Sequence, residues 1–163
     1  MDKALKVIRE LQNSGLIRAY AIGGGIAATY YIEPILTYDL DIFFIPRTEA
    51  LDLLSPIYGE LKKRGHSLEK ELVIIEGIPV QFIPVYNDLV KEAVETARES
   101  TYKRIKTRIL RPEYLLAIAL QTNRPKDRER AIQLLSQAKL DSKLLTRVLK
   151  DYGLGERYRK LKV

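Results

Sequence analysis

The chain has 163 residues, 46% of them hydrophobic and 30% charged, with a net charge of +7; this fits one globular domain with a buried core and argues against disorder. No apolar run approaches the roughly 18 residues of a membrane span, and the amphipathic start lacks the apolar centre of a signal peptide, so no membrane association is expected and the location is read as cytoplasmic. The absence of cysteine excludes a disulfide framework, thiolate metal sites and cysteine nucleophiles.

The first element is a helix over residues 2–14, with Leu5, Val7, Ile8 and Leu11 at helical spacing and Asn13-Ser14-Gly15 as its stop. Ile17–Ile22 reads as a short buried strand ending in Gly23, Gly24 and Gly25. Glycines at a strand end let the backbone approach a polyanion with no Cβ in the way. A helix predicted over Ile26–Ile35 would aim its free amides and positive dipole end at the same anion. The next strand, Leu40–Ile45, opens at Asp39 and Asp41. Alternation places both carboxylates on one face, where they can share a hard, oxygen-preferring cation such as Mg²⁺ that bridges to a triphosphate. Glycines at a turn also occur without any ligand, and an Asp-x-Asp is common. The order strand, glycines, helix, carboxylates favours ligand binding. Thr37 is a candidate phosphate ligand or a cap of the turn before the strand.

Beyond Pro46, a helix is expected from an N-cap at Thr48 to Gly65, with Pro56 as a possible interruption. Leu72–Ile75 and Val80–Val85, separated by Glu76-Gly77, form a hairpin pattern. A helix over Asn87–Arg98, a strand near Lys103–Leu110 and helices over 112–123, 125–138 and 141–152 complete the chain. His66, the single histidine, stands in a loop without a motif partner and reads as a surface residue. Tyr30 and Tyr31 read as core or rim residues ahead of base stacking. Arg124, Lys126 and Asp127 form either a phosphate-contacting group folded back over the cleft or a helix-start cluster at Pro125.

Charge is uneven: residues 1–98 carry −3 and 99–163 carry +10. The run Lys103, Arg104, Lys106, Arg108, Arg111 and the tail Arg157, Arg159, Lys160, Lys162 fit a polyanion-binding face, tRNA or other RNA included, or a solvated basic surface.

Gly23-Gly24-Gly25 followed by Thr37-Tyr38-Asp39-Leu40-Asp41 resembles the pattern of the DNA polymerase beta-like nucleotidyltransferase superfamily, nearest its small prokaryotic branch with the abortive-infection type toxins. Leu110-Arg111-Pro112-Glu113-Tyr114-Leu115-Leu116 and Arg124-Pro125-Lys126-Asp127 are similar to segments that follow the core in that branch, so the resemblance spans roughly residues 15–135. It implies an α/β (α+β) fold, a nucleotidyltransferase-like mixed sheet flanked by helices over 1–111 with a helical appendage over 112–163 packed on it. It further implies a bound nucleoside triphosphate held by Gly23, Gly24, Gly25, Thr37, Arg124 and Lys126, with Mg²⁺ on Asp39 and Asp41, the catalytic carboxylates. The acceptor is a hydroxyl of RNA, of a protein or of a small molecule; an aminoglycoside is open, although no large acidic antibiotic-binding lobe is evident in so short a chain. A protein partner within a toxin–antitoxin pair is a further implication.

The chain departs from the pattern at three places. Gln81 stands where a third carboxylate is expected, Ile118, Ala119 and Leu120 where a lysine is common, and Arg130 where an acid is usual. An amide can coordinate through its carbonyl oxygen but cannot serve as a general base. The alternative is therefore a catalytically degenerate nucleotide-binding or regulatory module.

Overall fold

In the computed structural model, which describes residues 1–161, seven strands form one mixed sheet in the order β3-β4-β5-β2-β1-β7-β6. The strands are β1 (Ile17–Gly23), β2 (Leu40–Pro46), β3 (Ser67–Glu69), β4 (Leu72–Ile75), β5 (Ile78–Pro84), β6 (Arg98–Tyr102) and β7 (Ile105–Ile109). β2 runs parallel to β5 and β1 parallel to β7, while the other neighbouring pairs are antiparallel. The helices are α1 (Asp2–Asn13), α2 (Gly24–Ala28), α3 (Ser55–Lys63), α4 (Asp88–Glu95), α5 (Pro112–Thr122), α6 (Pro125–Gln137), α7 (Ser142–Asp151) and α8 (Gly155–Leu161). This is the α/β mixed-sheet architecture that the sequence implied.

The central strands are buried on both sides. Leu40 and the four successive residues Ile42, Phe43, Phe44 and Ile45 of β2 are buried, a pattern that needs cover on both faces of the sheet. α1 lies on β1 and β7, α4 on β2 and β1. α5 presents Tyr114, Leu115, Leu116, Ala117, Ala119 and Leu120 to the same continuous core, packing against α4, α6 and α7. Among the described residues no helix is long and apolar enough to cross a membrane.

Several elements differ from the sequence expectation. Helix α2 spans five residues and does not reach Ile35. Thr29 Oγ1 donates to Ile26 O at 2.6 Å, the amides of Tyr30 and Tyr31 turn back to Ala27 and Ala28, and residues 34–39 are irregular. Helix α3 begins at Ser55, because Asp52 accepts from the amides of Leu54 and Ser55 and from the Ser55 hydroxyl, so Thr48 does not cap it. Pro56 therefore occupies the first turn, where its missing N–H is harmless, and interrupts nothing. The residues beyond Glu95 leave α4 for β6, which pairs with β7 through the turn at Lys103-Arg104. β3 and α8 had no counterpart in the sequence reading.

Candidate active site

The chain crosses from β1 into α2 through three glycines, and each is held in place by a neighbour on the β2 side. A Cβ on Gly23 would strike the Phe43 ring, one on Gly24 would overlap Asp41 Oδ2, and one on Gly25 would lie 2.6 Å from Thr37 Oγ1. Gly24 also has φ +61, a left-handed conformation that side chains other than glycine's adopt at a cost. The close approach that the glycines permit is thus to the chain's own Asp41 and Thr37.

Asp41 lies on β2, paired with Gly23 on one side and Gln81 on the other. Asp39 stands one residue before the strand. The two carboxylates, Gln81 and Gly24 share one wall of a cleft of about 330 Å³, and Arg124, Lys126 and Arg130 of the α6 region face them. Apolar residues of α5, Leu115 and Ile118 among them, form the remaining wall. Burial pushes the Asp41 carboxyl up to about 6; the neighbouring Asp39 charge adds to the rise, and Arg130, Lys126 and Arg124 oppose it.

Desolvated like charges with oxygen-only donors suit a hard divalent cation, so Asp39 and Asp41 fit Mg²⁺, with the Gln81 carbonyl oxygen as the nearest additional donor type. Among the described residues no group of three His, Cys, Asp or Glu side chains is placed to hold a metal ion. The strand register thus puts Gln81 beside Asp41, at the place where the sequence pattern expected another carboxylate.

Helix α6 brings the cations. Pro125 opens it, and Asp127 Oδ2 accepts from the Arg124 backbone N–H at 3.3 Å and from Arg124 Nε at 2.6 Å. Burial of Asp127 works against its ionisation, yet hydrogen bonds from Arg124 and Thr122 outweigh it and hold its carboxyl below the usual range. Arg124 is therefore both a helix-start residue and a lining residue of the cleft. Lys126 and Arg130, four apart and so on one helix face, also line a second groove of about 560 Å³ between residues 34–39 and α6, which Asp39 and Thr37 share. Arg130 Nε is buried with no hydrogen-bond partner, the mark of a donor lacking its acceptor. Sequence reading treated Arg130 only as a departure; the i, i+4 spacing from Lys126 is the signal that places it on the cleft.

The basic segments lie elsewhere. Lys103 to Arg108 form the β6–β7 turn and β7. Arg157 donates to the carbonyls of Leu120 at 3.0 Å and Gln121 at 2.7 Å, docking α8 on the end of α5, and Lys160 pairs with Glu156 at 3.3 Å. Lys162 lies outside the described residues.

No protein-family model matches the chain, and no curated protein matches it in sequence. Solved structures do match in shape. An antigenic nucleotidyltransferase-like protein from Paracoccidioides brasiliensis superposes with a TM-score of 0.55 at 15% identity, over 98% of this chain and 90% of that one. ANT(2'')-Ia, seen in complex with adenylyl-2''-tobramycin, superposes with a TM-score of 0.53 at 15% identity, over 95% of this chain and 98% of that one. Its solution structure, described as an antibiotic-resistance factor with substrate-regulated conformation dynamics, gives 0.51 at 15% identity, over 98% and 95%. The chain has the nucleotidyltransferase-like fold.

Proposed function

We propose that the chain binds a magnesium nucleoside triphosphate in the Asp39–Asp41 cleft and transfers the nucleotidyl group to an acceptor hydroxyl. The observation that carries this reading is the convergence of two half-buried carboxylates, one on β2 and one just before it, with Lys126 and Arg130 from α6 on one cavity. When bound, Mg²⁺ offsets triphosphate charge and stabilises an in-line transition state at the α-phosphorus. Asp39 and Asp41 hold it. Lys126 and Arg130 supply the positive charge opposite, with Arg130 Nε finding its acceptor in a phosphate oxygen. Gly24 and Gly25 keep the turn narrow enough for Asp41 and Thr37 to stand beside the phosphates, and Arg124 adds charge at the rim.

Gln81 cannot take the acceptor proton, which leaves that task to the Asp pair already engaged with the metal, so turnover is slow or requires a demanding acceptor. Small-molecule hydroxyls join RNA and protein hydroxyls as acceptor classes, because a fold of this size in ANT(2'')-Ia is seen with an adenylylated aminoglycoside. The same Gln81 favours a second reading, a nucleotide-binding module with no turnover. Membership of a toxin–antitoxin pair belongs to the resemblance in the motifs, and growth inhibition on expression, relieved by a protein partner, is its readout.

Thermal unfolding with each nucleoside triphosphate, with and without Mg²⁺, tests the site. A ligand at about 100 times its dissociation constant adds about 2.7 kcal/mol to the native state. A Mg²⁺-dependent rise in the wild type that is absent from Asp39→Asn/Asp41→Asn supports the reading, and no rise with any triphosphate overturns it. Transfer of labelled nucleotide to added RNA, protein or aminoglycoside separates the enzyme from the module.

A further inference from the structure

Residues 34–39, the irregular segment that leads into β2, form one wall of the groove of about 560 Å³ beside α6. Their burial alternates: Ile35, Thr37 and Asp39 are half-buried, while Leu36 and Tyr38 are exposed at 83% and 72%. Alternation with a period of two marks an extended chain. Successive residues of both parities line the groove, so the segment turns a backbone edge toward it as well as side chains. Among the described residues none hydrogen-bonds to a backbone N–H or C=O of residues 35–38. An extended edge with open donors and acceptors is a template for one more strand.

The opposite wall is Lys126, Glu129, Arg130 and Gln133, which helical spacing places on one face of α6. At its far end the segment is tied to α6, where Glu33 N donates to Gln137 at 2.8 Å. At its near end the groove meets the cleft, because Asp39, Lys126 and Arg130 line both cavities. A chain lying along residues 35–38 therefore arrives at the carboxylates assigned above to Mg²⁺.

Charge selects the occupant. Lys126 and Arg130 face the triphosphate and Asp39 the metal, which leaves Glu129 as the charge of the outer groove. Glu129 forms no ion pair with the described residues. A nucleic-acid strand needs cations along its path, and the basic segments lie outside this groove. A polypeptide with a lysine or arginine near its hydroxyl residue fits instead, and the exposed Leu36 and Tyr38 offer its apolar side chains a contact.

We infer that the acceptor is a serine, threonine or tyrosine hydroxyl on an extended polypeptide that pairs with residues 35–38 as an added strand. This rests on the Mg²⁺-nucleotide reading of the cleft. The hydroxyl oxygen bonds to the α-phosphorus, the bond from that phosphorus to the α–β bridging oxygen breaks, and pyrophosphate leaves with the electron pair. The hydroxyl proton goes to water by way of the Asp pair.

The test offers the parent chain and Gln81→Asp α-labelled nucleoside triphosphate, Mg²⁺ and a choice of acceptors. These are heptapeptide pools with a central Ser, Thr or Tyr and either basic or acidic flanks, a single-stranded RNA, and an aminoglycoside. Label is expected on the peptides, about twofold to fivefold more on the basic pools, the range of an exposed ion pair, and Glu129→Gln erases that preference. In the best-labelled peptide, N-methylation of one alternate set of backbone amides is expected to cut labelling by about tenfold or more, as loss of several main-chain hydrogen bonds implies. Methylation of the intervening set has little effect, because only every second amide of a strand faces a given neighbour. Thermal unfolding of the same samples distinguishes two failures. A Mg²⁺-dependent nucleotide shift with label only on RNA, only on the aminoglycoside or on no acceptor overturns the polypeptide acceptor and leaves the nucleotide site standing; no nucleotide shift overturns both. Equal labelling of basic and acidic pools, or equal loss from the two sets of methylated amides, would overturn pairing in this groove.

Discussion

Asp41 and Gln81 are direct register partners on the parallel strands β2 and β5, so an amide stands beside the carboxylate that burial pushes up to about 6. Parallel pairing projects both side chains to the same side of the sheet, into the cavity they share with Asp39. The pair fixes what the cleft can do unaided: it offers two negative charges and one neutral oxygen donor, and no group able to take a proton from an acceptor near neutral pH except through the Asp pair itself.

Gln81→Asp supplies that group. In the presence of Mg²⁺ the variant is expected to transfer nucleotide faster than the parent by roughly 10²-fold or more, the range of general-base contributions. Single-turnover rates with a labelled triphosphate and an accepted hydroxyl substrate measure it. A parent that turns over measurably, with a variant no faster, would show that the missing carboxylate does not limit the rate.

Asp41 makes stability depend on pH in a known direction. Its carboxyl titrates near 6 in the folded chain, lifted chiefly by burial and also by Asp39, against about 3.9 when unfolded. Between these values the folded state holds more protons than the unfolded one, so stability falls as pH rises from about 4 to about 6. Asp41→Asn is expected to flatten this slope in urea denaturation series at several pH values. Saturating Mg²⁺ in the wild type, which favours the ionised pair, reduces the same slope.

The sheet and the Asp39–Asp41 locus were legible because strands β1, β2 and β5 are apolar runs bounded by glycine or proline. What escaped had physical causes in particular residues. β6 is the polar edge segment Arg98–Tyr102, and its turn uses Lys103 and Arg104, both at positive φ, where glycine or asparagine would have announced a hairpin. The β4–β5 turn does carry that signal in Glu76-Gly77, so this hairpin is visible in the sequence. α2 stops early because Thr29 hydrogen-bonds its own turn and Glu33 N donates to Gln137 of α6 at 2.8 Å, a tertiary contact no local pattern contains. Arg130 joins the cleft across some ninety residues of sequence, a placement that only packing of α6 on α5 and α2 creates.

Gly24 and Gly59 give opposite outcomes for one substitution. Gly24→Ala adds a Cβ into Asp41 Oδ2 at positive φ, which costs about 1–3 kcal/mol in backbone strain alone and displaces the carboxylate. It is expected to lower the unfolding midpoint and abolish any Mg²⁺-nucleotide shift. A Cβ on Gly59, inside α3, meets nothing within 4 Å, so Gly59→Ala is expected to stabilise by about 0.5–1 kcal/mol and leave ligand shifts intact. Differential scanning calorimetry of both variants makes the comparison.

Arg130 is where a ligand-dependent effect separates from a structural one. Its Nε is buried without an acceptor, and its charge is the leading influence that favours ionisation of Asp41. Arg130→Gln removes an unsatisfied donor, so the ligand-free protein is expected to lose little stability. The Asp41 carboxyl then titrates higher, because its strongest opposing charge has gone. Nucleotide binding, however, loses a charge-assisted hydrogen bond worth about 1.5–3 kcal/mol, or roughly 10- to 100-fold in affinity. Arg130→Lys keeps the charge without the planar fork and falls between the two. Titration calorimetry with a nonhydrolysable triphosphate and Mg²⁺ ranks the three proteins. Equal affinities would remove Arg130 from the binding machinery and leave its buried Nε as a packing cost of α6 alone.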